Sequence, residues 1–214
     1  TWSRAGRNHF RLIFYMNRYF DLHFNRNIVT LYPGEYWAST GPEMISTVLG
    51  SCVSIALFDP IAKVGGMNHF MLARDTNLDI DGSQDRLLGR FGEYAVEMLV
   101  ADMEKKGASL KRCFAKVFGG GNIFNSSEPQ SGRSLVGAAN IDFAFEYLKS
   151  HNVEIKSSDT GGNLPRKIFF DPVNAKVFLK HIDSHNPDDE NFIKSKEQKY
   201  LEYLAELNRL AKCL

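Results

Sequence analysis

The sequence predicts an α/β fold that mixes strands and helices, rather than an all-parallel sheet. Stretches rich in β-branched and apolar residues flank Asp59-Pro60, and proline here favours a turn, so an antiparallel hairpin is expected. A run of good helix formers over 91–106 is followed by Gly107, which fits the stop position of a helix. Because strands joined by turns alternate with helices, we expect both kinds of element to share one core.

The remaining elements follow from local composition and turn residues. Three glycines, Gly119 to Gly121, end one predicted strand and indicate that backbone passes close to another element or to a substrate. The other elements are a strand over 28–38 broken at Pro33-Gly34, strands over 112–118 and 153–157, a helix over about 138–150, and a closing hairpin from 168–171 and 176–181.

A polar, acidic segment from Asp75 to Gly89 separates the first hairpin from the first helix. Its Asp79-Ile80-Asp81-Gly82 core resembles part of a calcium loop, but the remaining ligands and the glutamate of an EF-hand are absent. We therefore predict a mobile surface loop rather than a metal site, placed where it could gate access to the preceding strand.

Length predicts one domain with appendages, since 214 residues can bury a sizeable core. We assign the domain to 28–182, an aromatic and basic extension to 1–27, and a helix to 183–214. The extension is expected to pack on the domain, with docking to a partner or membrane surface as the alternative. Apolar residues in the last segment recur at three- and four-residue intervals, which predicts an amphipathic helix that packs on its own domain or on a partner.

Composition argues against several classes of function. Lys plus Arg number 26 against 25 for Asp plus Glu, so a formal charge of +1 lacks the basic excess of a nucleic-acid binder. Three widely spaced cysteines without C-x-x-C argue against a disulfide framework and a zinc site. No apolar run approaches a membrane span and no signal-peptide pattern is present, so we expect a cytoplasmic protein whose thiols stay reduced.

The predicted hairpin carries a thiol and an imidazole. A loop centred between Pro60 and Ile61 would place Cys52 directly opposite His69, where Cβ atoms lie about 4.5–5.5 Å apart. A thiol beside an imidazole is a nucleophile, because the neighbour raises the thiolate fraction. The prediction depends on register, since a slip of one residue would put the side chains on opposite faces. On composition alone, a packed small cysteine and an unrelated histidine remain the simpler interpretation.

Several motifs occur in order along the chain: Leu49-Gly50-Ser51-Cys52-Val53, Asp59-Pro60, Gly65-Gly66-Met67-Asn68-His69-Phe70-Met71-Leu72, Gly119-Gly120-Gly121, Gly137 with Asn140, and Asp159-Thr160-Gly161-Gly162 with Arg166. Together these motifs resemble the CheD family of chemoreceptor glutamine deamidases. The match runs from about residue 28 to 182, and its specific part is Leu-Gly-Ser-Cys combined with the later histidine.

The resemblance implies both a fold and an activity. The fold would be a layered sandwich of mixed, largely antiparallel sheets covered by helices, related to the catalytic domains of deamidating bacterial toxins. The activity would be hydrolysis of selected glutamines to glutamate on the cytoplasmic helices of methyl-accepting chemotaxis receptors, with no metal or organic cofactor. In some organisms the family also binds the phosphatase CheC, which makes a CheC-type phosphatase a second candidate partner.

The resemblance also implies site residues. Cys52 takes the position of the nucleophile and His69 that of the base. The family's third member is a threonine six residues before the cysteine, which falls on Ser46, with Thr47 adjacent. The Ser46 hydroxyl would hold the imidazole in its working orientation. Candidate oxyanion or substrate-binding residues are Gly50, Ser51, Asn68, Gly120 and Gly121.

Two other functions remain open at this point. A non-catalytic chemotaxis adaptor would keep the fold and bind receptors or a CheC-type phosphatase. A cysteine peptidase or transglutaminase would use the same thiol but cleave backbone or incorporate an amine. The adaptor predicts slow alkylation of all cysteines, whereas an activated Cys52 would be alkylated faster than Cys113 and Cys213.

Overall fold

The structure, a computed structural model, describes residues 17–71, 84–122 and 134–183. Within these residues, two five-stranded sheets pack face to face, and two helices cover the outer face of the second sheet. The predicted sandwich of mixed, largely antiparallel sheets covered by helices is therefore confirmed.

Each sheet contains one parallel pair of strands, Arg26–Thr30 with Met44–Leu49 in the first and Phe114–Gly119 with Glu154–Thr160 in the second, and its other pairs are antiparallel. The first sheet has the order β1 Asn17–Asp21, β2 Arg26–Thr30, β4 Met44–Leu49, β9 Arg166–Phe170 and β10 Val177–His181. The second has the order β3 Tyr36–Ser39, β6 Val64–Asn68, β5 Val53–Asp59, β7 Phe114–Gly119 and β8 Glu154–Thr160. The helices are α1 Gln84–Glu104, α2 Ser134–Ser150 and a short 3₁₀ turn, Leu110–Arg112.

Alternation of side chains along the strands creates two apolar layers. The layer between the two sheets contains Val29, Leu31, Ile45, Leu49, Ala56, Phe58, Met67, Phe118, Ile168 and Phe170. The layer between the second sheet and the helices contains Val53, Ile55, Leu57, Val96, Leu99, Ala115, Val117, Ala144 and Leu148. Which layer a side chain enters therefore depends on whether its position along the strand is odd or even.

The hairpin of β5 and β6 forms as predicted, but its loop is longer. The strands are joined by residues 60–63. The Asp59 carboxylate accepts hydrogen bonds from the N–H groups of Ile61 and Ala62 at 2.9 and 3.0 Å. Lys63 closes the loop with a positive φ of 55°. This carboxylate-stabilised loop replaces the tight turn centred between Pro60 and Ile61.

The longer loop shifts the register of the hairpin by two residues. Val53 pairs with Phe70, whereas the predicted register would pair it with Asn68. Cys52 lies one position beyond this pair and His69 one position inside it. The prediction that Cys52 and His69 oppose each other directly is therefore wrong. Because the shift is an even number, both side chains still share a face and are diagonal neighbours.

Two predicted segments differ from the structure at their boundaries. Helix α1 begins at Gln84, so residues 84–89 of the predicted loop are helical. Strand β1 and the start of β2 lie within the predicted extension 1–27 and form the edge of the first sheet. The rest of that extension, the predicted loop over 75–83 and the C-terminal helix over 184–214 lie outside the described residues. The domain boundaries stay a prediction.

Candidate active site

Cys52, His69 and Thr47 meet in the space between the two sheets. Thr47 lies on β4 of the first sheet, while Cys52 precedes β5 and His69 follows β6 in the second. Thr47 and His69 are buried, with 1% and 3% of their surface exposed, whereas Cys52 is partly exposed. Cys52 also packs against the apolar layer between the sheets. The thiol is therefore the member of this group that is most open to solvent.

The hydrogen bonds of Thr47 determine which nitrogen of His69 carries the proton. Thr47 Oγ1 donates to the carbonyl oxygen of Leu31 at 2.9 Å and lies 2.7 Å from Nδ1 of His69. Because the single hydroxyl proton is already engaged, Nδ1 must be the donor in the second bond. The neutral imidazole then keeps a free lone pair on Nε2. Nε2 is buried and has no hydrogen-bond partner among the described residues.

Ser46 does not take the role predicted for it. Alternation along β4 places Ile45, Thr47 and Leu49 toward the second sheet, so Ser46 faces away from His69. The prediction of Ser46 as the residue that orients the imidazole is therefore wrong, and Thr47 holds that hydrogen bond. The sequence contained the signal needed to find Thr47, since the apolar residues Ile45 and Leu49 mark the inward face of the strand.

The backbone of His69 is fixed on both sides by the turn that follows β2. The N–H of His69 donates to the carbonyl of Glu35 at 2.9 Å, and the N–H of Gly34 donates to the carbonyl of His69 at 2.7 Å. Gly34 has a φ of 88°, a conformation that glycine adopts without strain. The Pro33-Gly34 turn therefore links the two sheets at the base of the imidazole.

Burial keeps both reactive groups neutral in the resting protein. Removal from water raises the pKa of the Cys52 thiol to about 11. The same cause lowers the pKa of His69 to about 4, because burial disfavours the charged form of each group. No hydrogen bond joins the thiol to His69 Nε2 in the described part of the chain. The resting pair is thus thiol and imidazole, and an attack by the thiol would require the transfer of its proton.

The buried, neutral His69 predicts a loss of stability in acid. The unfolded chain takes up a proton near pH 6.5, whereas the folded protein stays neutral at this site until about pH 4. The stabilisation is complete above pH 6.5 and is lost as pH falls toward 4. We expect this group alone to lower the free energy of unfolding by about 2 kcal/mol between pH 7 and pH 5. Urea unfolding of wild-type protein and His69→Gln at both pH values measures the difference, which should disappear in the variant.

The loop that carries Cys52, residues 50–52, is held in place by hydrogen bonds that its carbonyl groups accept. The N–H of Gly121 donates to the carbonyl of Gly50 at 2.7 Å, and the N–H of Gly120 donates to that of Cys52 at 2.8 Å. Between them, Nδ2 of Asn140 donates to the carbonyl of Ser51 at 2.7 Å. Asn140 was a motif residue without a predicted role, and its contact with the loop was not found from the sequence.

Gly120 and Gly121 therefore position the loop rather than offer donors to a substrate. Their N–H groups are already engaged, so these two groups are not oxyanion donors in this structure, and substrate binding by Gly120 and Gly121 stays a prediction. By contrast, the N–H groups of Ser51 and Cys52 donate to no backbone carbonyl among the described residues. These two groups are the candidate oxyanion donors, and Ser51 stays in the predicted site.

Asn68 points away from the reactive pair. Its Oδ1 accepts a hydrogen bond from the N–H of Ile55 at 2.9 Å, and its Nδ2 donates to the carbonyl of Ala95 in α1 at 3.4 Å. Its side chain thus faces the helix layer, on the side of the sheet opposite to His69. The prediction that Asn68 binds substrate is wrong, and its role is to attach β6 to β5 and α1.

Taken together, the fold and the site define a class: an α/β sandwich protein with a cysteine, a histidine and a positioning hydroxyl between its sheets. Within the described residues, no group of three His, Cys, Asp or Glu side chains is arranged to hold a metal ion. Neither described helix is long and apolar enough to cross a membrane.

Comparison with known proteins identifies the family. Residues 71–181 match the family model described as CheD chemotactic sensory transduction. The chain is 39% identical over 171 residues to "Probable chemoreceptor glutamine deamidase CheD 1" of Shewanella oneidensis, covering 79% of this chain and 80% of that protein. It is 37% identical over 192 residues to "Probable chemoreceptor glutamine deamidase CheD" of Hahella chejuensis, covering 89% and 85%. The chain belongs to the CheD family, which confirms the resemblance carried by its motifs.

Among solved structures, the crystal structure of Bacillus licheniformis hypothetical protein YfiH aligns with 58% of this chain and 50% of its own. The TM-score is 0.34 at 12% identity, values too low to show a shared fold.

Proposed function

We propose that this protein hydrolyses the side-chain amide of selected chemoreceptor glutamines to glutamate, with Cys52 as the nucleophile. The observation that carries the proposal is the hydrogen-bond chain from the Leu31 carbonyl through Thr47 to Nδ1 of His69. This chain leaves Nε2 as an unprotonated base on the same face as the thiol. The names of the relatives, chemoreceptor glutamine deamidases, support the choice of substrate.

The reaction proceeds in two halves through a covalent intermediate. Sγ of Cys52 attacks the carboxamide carbon while its proton passes to Nε2 of His69. His69 then protonates the amide nitrogen, which leaves as ammonia, and a thioester remains. In the second half His69 takes a proton from water, the hydroxide attacks the thioester carbon, and Sγ departs with a proton to leave glutamate.

The resting geometry requires a movement before the first step. Because Sγ and Nε2 are not hydrogen-bonded, the two atoms must come within hydrogen-bond reach of each other when substrate binds. The developing negative charge on the glutamine oxygen would be stabilised by the backbone N–H groups of Ser51 and Cys52.

The proposed setting follows from the family. The substrate would be the cytoplasmic helices of methyl-accepting chemotaxis receptors, which places the protein in the cytoplasm. A CheC-type phosphatase is a second proposed partner, and no cofactor is part of the cycle. We also propose that the fold is related to the catalytic domains of deamidating bacterial toxins.

Thr47→Val tests the residue that positions the base. The variant keeps the shape of the side chain but leaves Nδ1 of His69 and the Leu31 carbonyl without their shared hydroxyl. Losing one buried hydrogen bond costs about 1–3 kcal/mol, so the rate of glutamine conversion should fall about tenfold to a hundredfold. Ser46→Ala on the opposite face is the matched control and should stay within about twofold of wild type. The reverse order of effects would restore Ser46 to the site.

The experiment that tests the proposed function is incubation of wild-type protein with cytoplasmic fragments of cognate chemoreceptors, followed by peptide mass spectrometry. Conversion of particular glutamines to glutamate is expected. Receptor binding without conversion would instead favour a non-catalytic adaptor. Backbone cleavage or amine incorporation would favour the peptidase or transglutaminase alternatives.

A further inference from the structure

We infer that Asn140 is a positioning residue that orients the backbone N–H of Cys52 as an oxyanion donor. The inference rests on the proposed function, since it concerns the tetrahedral intermediate formed on Cys52. Helix α2 carries none of the reacting groups, but through Asn140 it would fix the backbone of the loop that carries Cys52.

The contact that carries the inference is the hydrogen bond from Asn140 to the loop that carries Cys52. Asn140 is fully buried, and its Nδ2 donates to the carbonyl of Ser51 at 2.7 Å. That carbonyl belongs to the same peptide group as the N–H of Cys52. Since the described chain contains no cis peptide bond, this N–H points away from the carbonyl. Fixing the carbonyl toward α2 therefore fixes the N–H toward the opposite side.

The neighbouring peptide group is fixed in the same manner. The N–H of Gly121 holds the carbonyl of Gly50, whose peptide group carries the N–H of Ser51. The N–H of Gly120 holds the carbonyl of Cys52 itself. Three successive carbonyls of the loop are thus bound by protein donors. The N–H groups of Ser51 and Cys52, in contrast, donate to no backbone carbonyl in the described part of the chain, which leaves them able to turn toward an oxyanion.

Close packing of glycines brings Asn140 within reach of the loop. A Cβ atom at Gly137 would lie 2.6 Å from the carbonyl oxygen of Gly120. A Cβ atom at Gly120 would clash with Cγ1 of Ile141, on the same helix as Asn140. Both contacts are too short for a side chain, so α2 can approach the loop this closely only with glycine at both positions.

Two reactions of the Cys52 thiol distinguish an effect on the oxyanion donor from a general loss of folded structure. Acylation of Cys52 by p-nitrophenyl acetate forms an S–C bond, passes through an oxyanion and releases p-nitrophenolate, with the thiol proton going to His69 or solvent. Alkylation by iodoacetamide also forms an S–C bond but displaces iodide directly, and no oxyanion develops. Only the acylation should depend on the direction of the Cys52 N–H.

The experiment measures both rates at Cys52 in full-length protein by peptide mass spectrometry, at one pH, for wild type, Asn140→Ala and Asn140→Asp. Both variants remove the donor to the Ser51 carbonyl. Two variants are used so that the test can still be made if one of them fails to fold. Acylation is expected to fall about tenfold or more while alkylation stays within about twofold. Leu148→Val, which trims a buried residue elsewhere on α2, is the matched control and should leave the ratio of the two rates unchanged.

Three results would overturn the inference: unchanged acylation in both variants, an equal fall of both rates, or the same altered ratio in Leu148→Val. The readout needs no receptor, so it is independent of whether glutamine is the natural substrate. If wild-type protein converts no receptor glutamine, the proposed function fails, while the ratio of acylation to alkylation still decides the role of Asn140.

Discussion

Cys52→Ala is expected to abolish the conversion of receptor glutamine to glutamate, with a loss of about 10⁴-fold or more. The proposed cycle has no other nucleophile, and alanine leaves the base and the positioning hydroxyl in place. Peptide mass spectrometry of a receptor fragment after timed incubation measures the rate.

Cys113→Ala is the matched control for this variant. Cys113 is buried, and its thiol donates to the carbonyl of Ser109 at 3.4 Å, within the helix layer rather than between the sheets. Burial and the nearby Asp59 carboxylate raise the pKa of the Cys113 thiol to about 12. Full activity of Cys52→Ala, or an equal loss in Cys113→Ala, would contradict the assignment of Cys52.

His69→Gln is expected to lower the rate of glutamine conversion by about 10³-fold, because the variant removes the base that accepts the thiol proton. Glutamine can still hydrogen-bond to Thr47 but cannot accept and return a proton. His181→Gln, at an exposed position in β10, is the control and should retain activity. Activity of His69→Gln close to wild type would exclude the imidazole as the base.

The pH dependence of Cys52 alkylation also tests the protonation states of Cys52 and His69 in the free protein. With a thiol pKa of about 11, the thiolate fraction in free protein should rise about tenfold per pH unit through the neutral range. A preformed thiolate and imidazolium pair would instead give a rate that is already constant at neutral pH. Iodoacetamide labelling across this pH range, followed at Cys52 alone, distinguishes the two.

Much of the fold could be predicted from local patterns. Turn residues and alternating apolar positions located the β5–β6 and β9–β10 hairpins, and Gly107 marked the region where α1 ends. The pairing of distant strands could not be obtained in this way. The parallel contact of β2 with β4 depends on packing across the whole sandwich, and no local pattern encodes it.

As with the fold, local patterns predicted part of the site, whereas contacts between distant segments could not be predicted. Cys52 and His69 were predicted to share a face, and they do, because the loop error was an even number of residues. The register itself was wrong, since the Asp59 carboxylate stabilises a loop longer than the Pro60 turn alone suggested. Asn140 was missed as a contact, because only the folded chain brings α2 to the loop that carries Cys52.

The most direct test of the central claim, hydrolysis through a thioester on Cys52, is peptide mapping of an acid-quenched reaction between wild-type protein and a receptor fragment. The predicted result is a Cys52 peptide joined through Sγ to a receptor glutamyl group, with ammonia lost, and cleaved by hydroxylamine. Conversion of glutamine at full rate while Cys52 stays unmodified at every time point would contradict the mechanism.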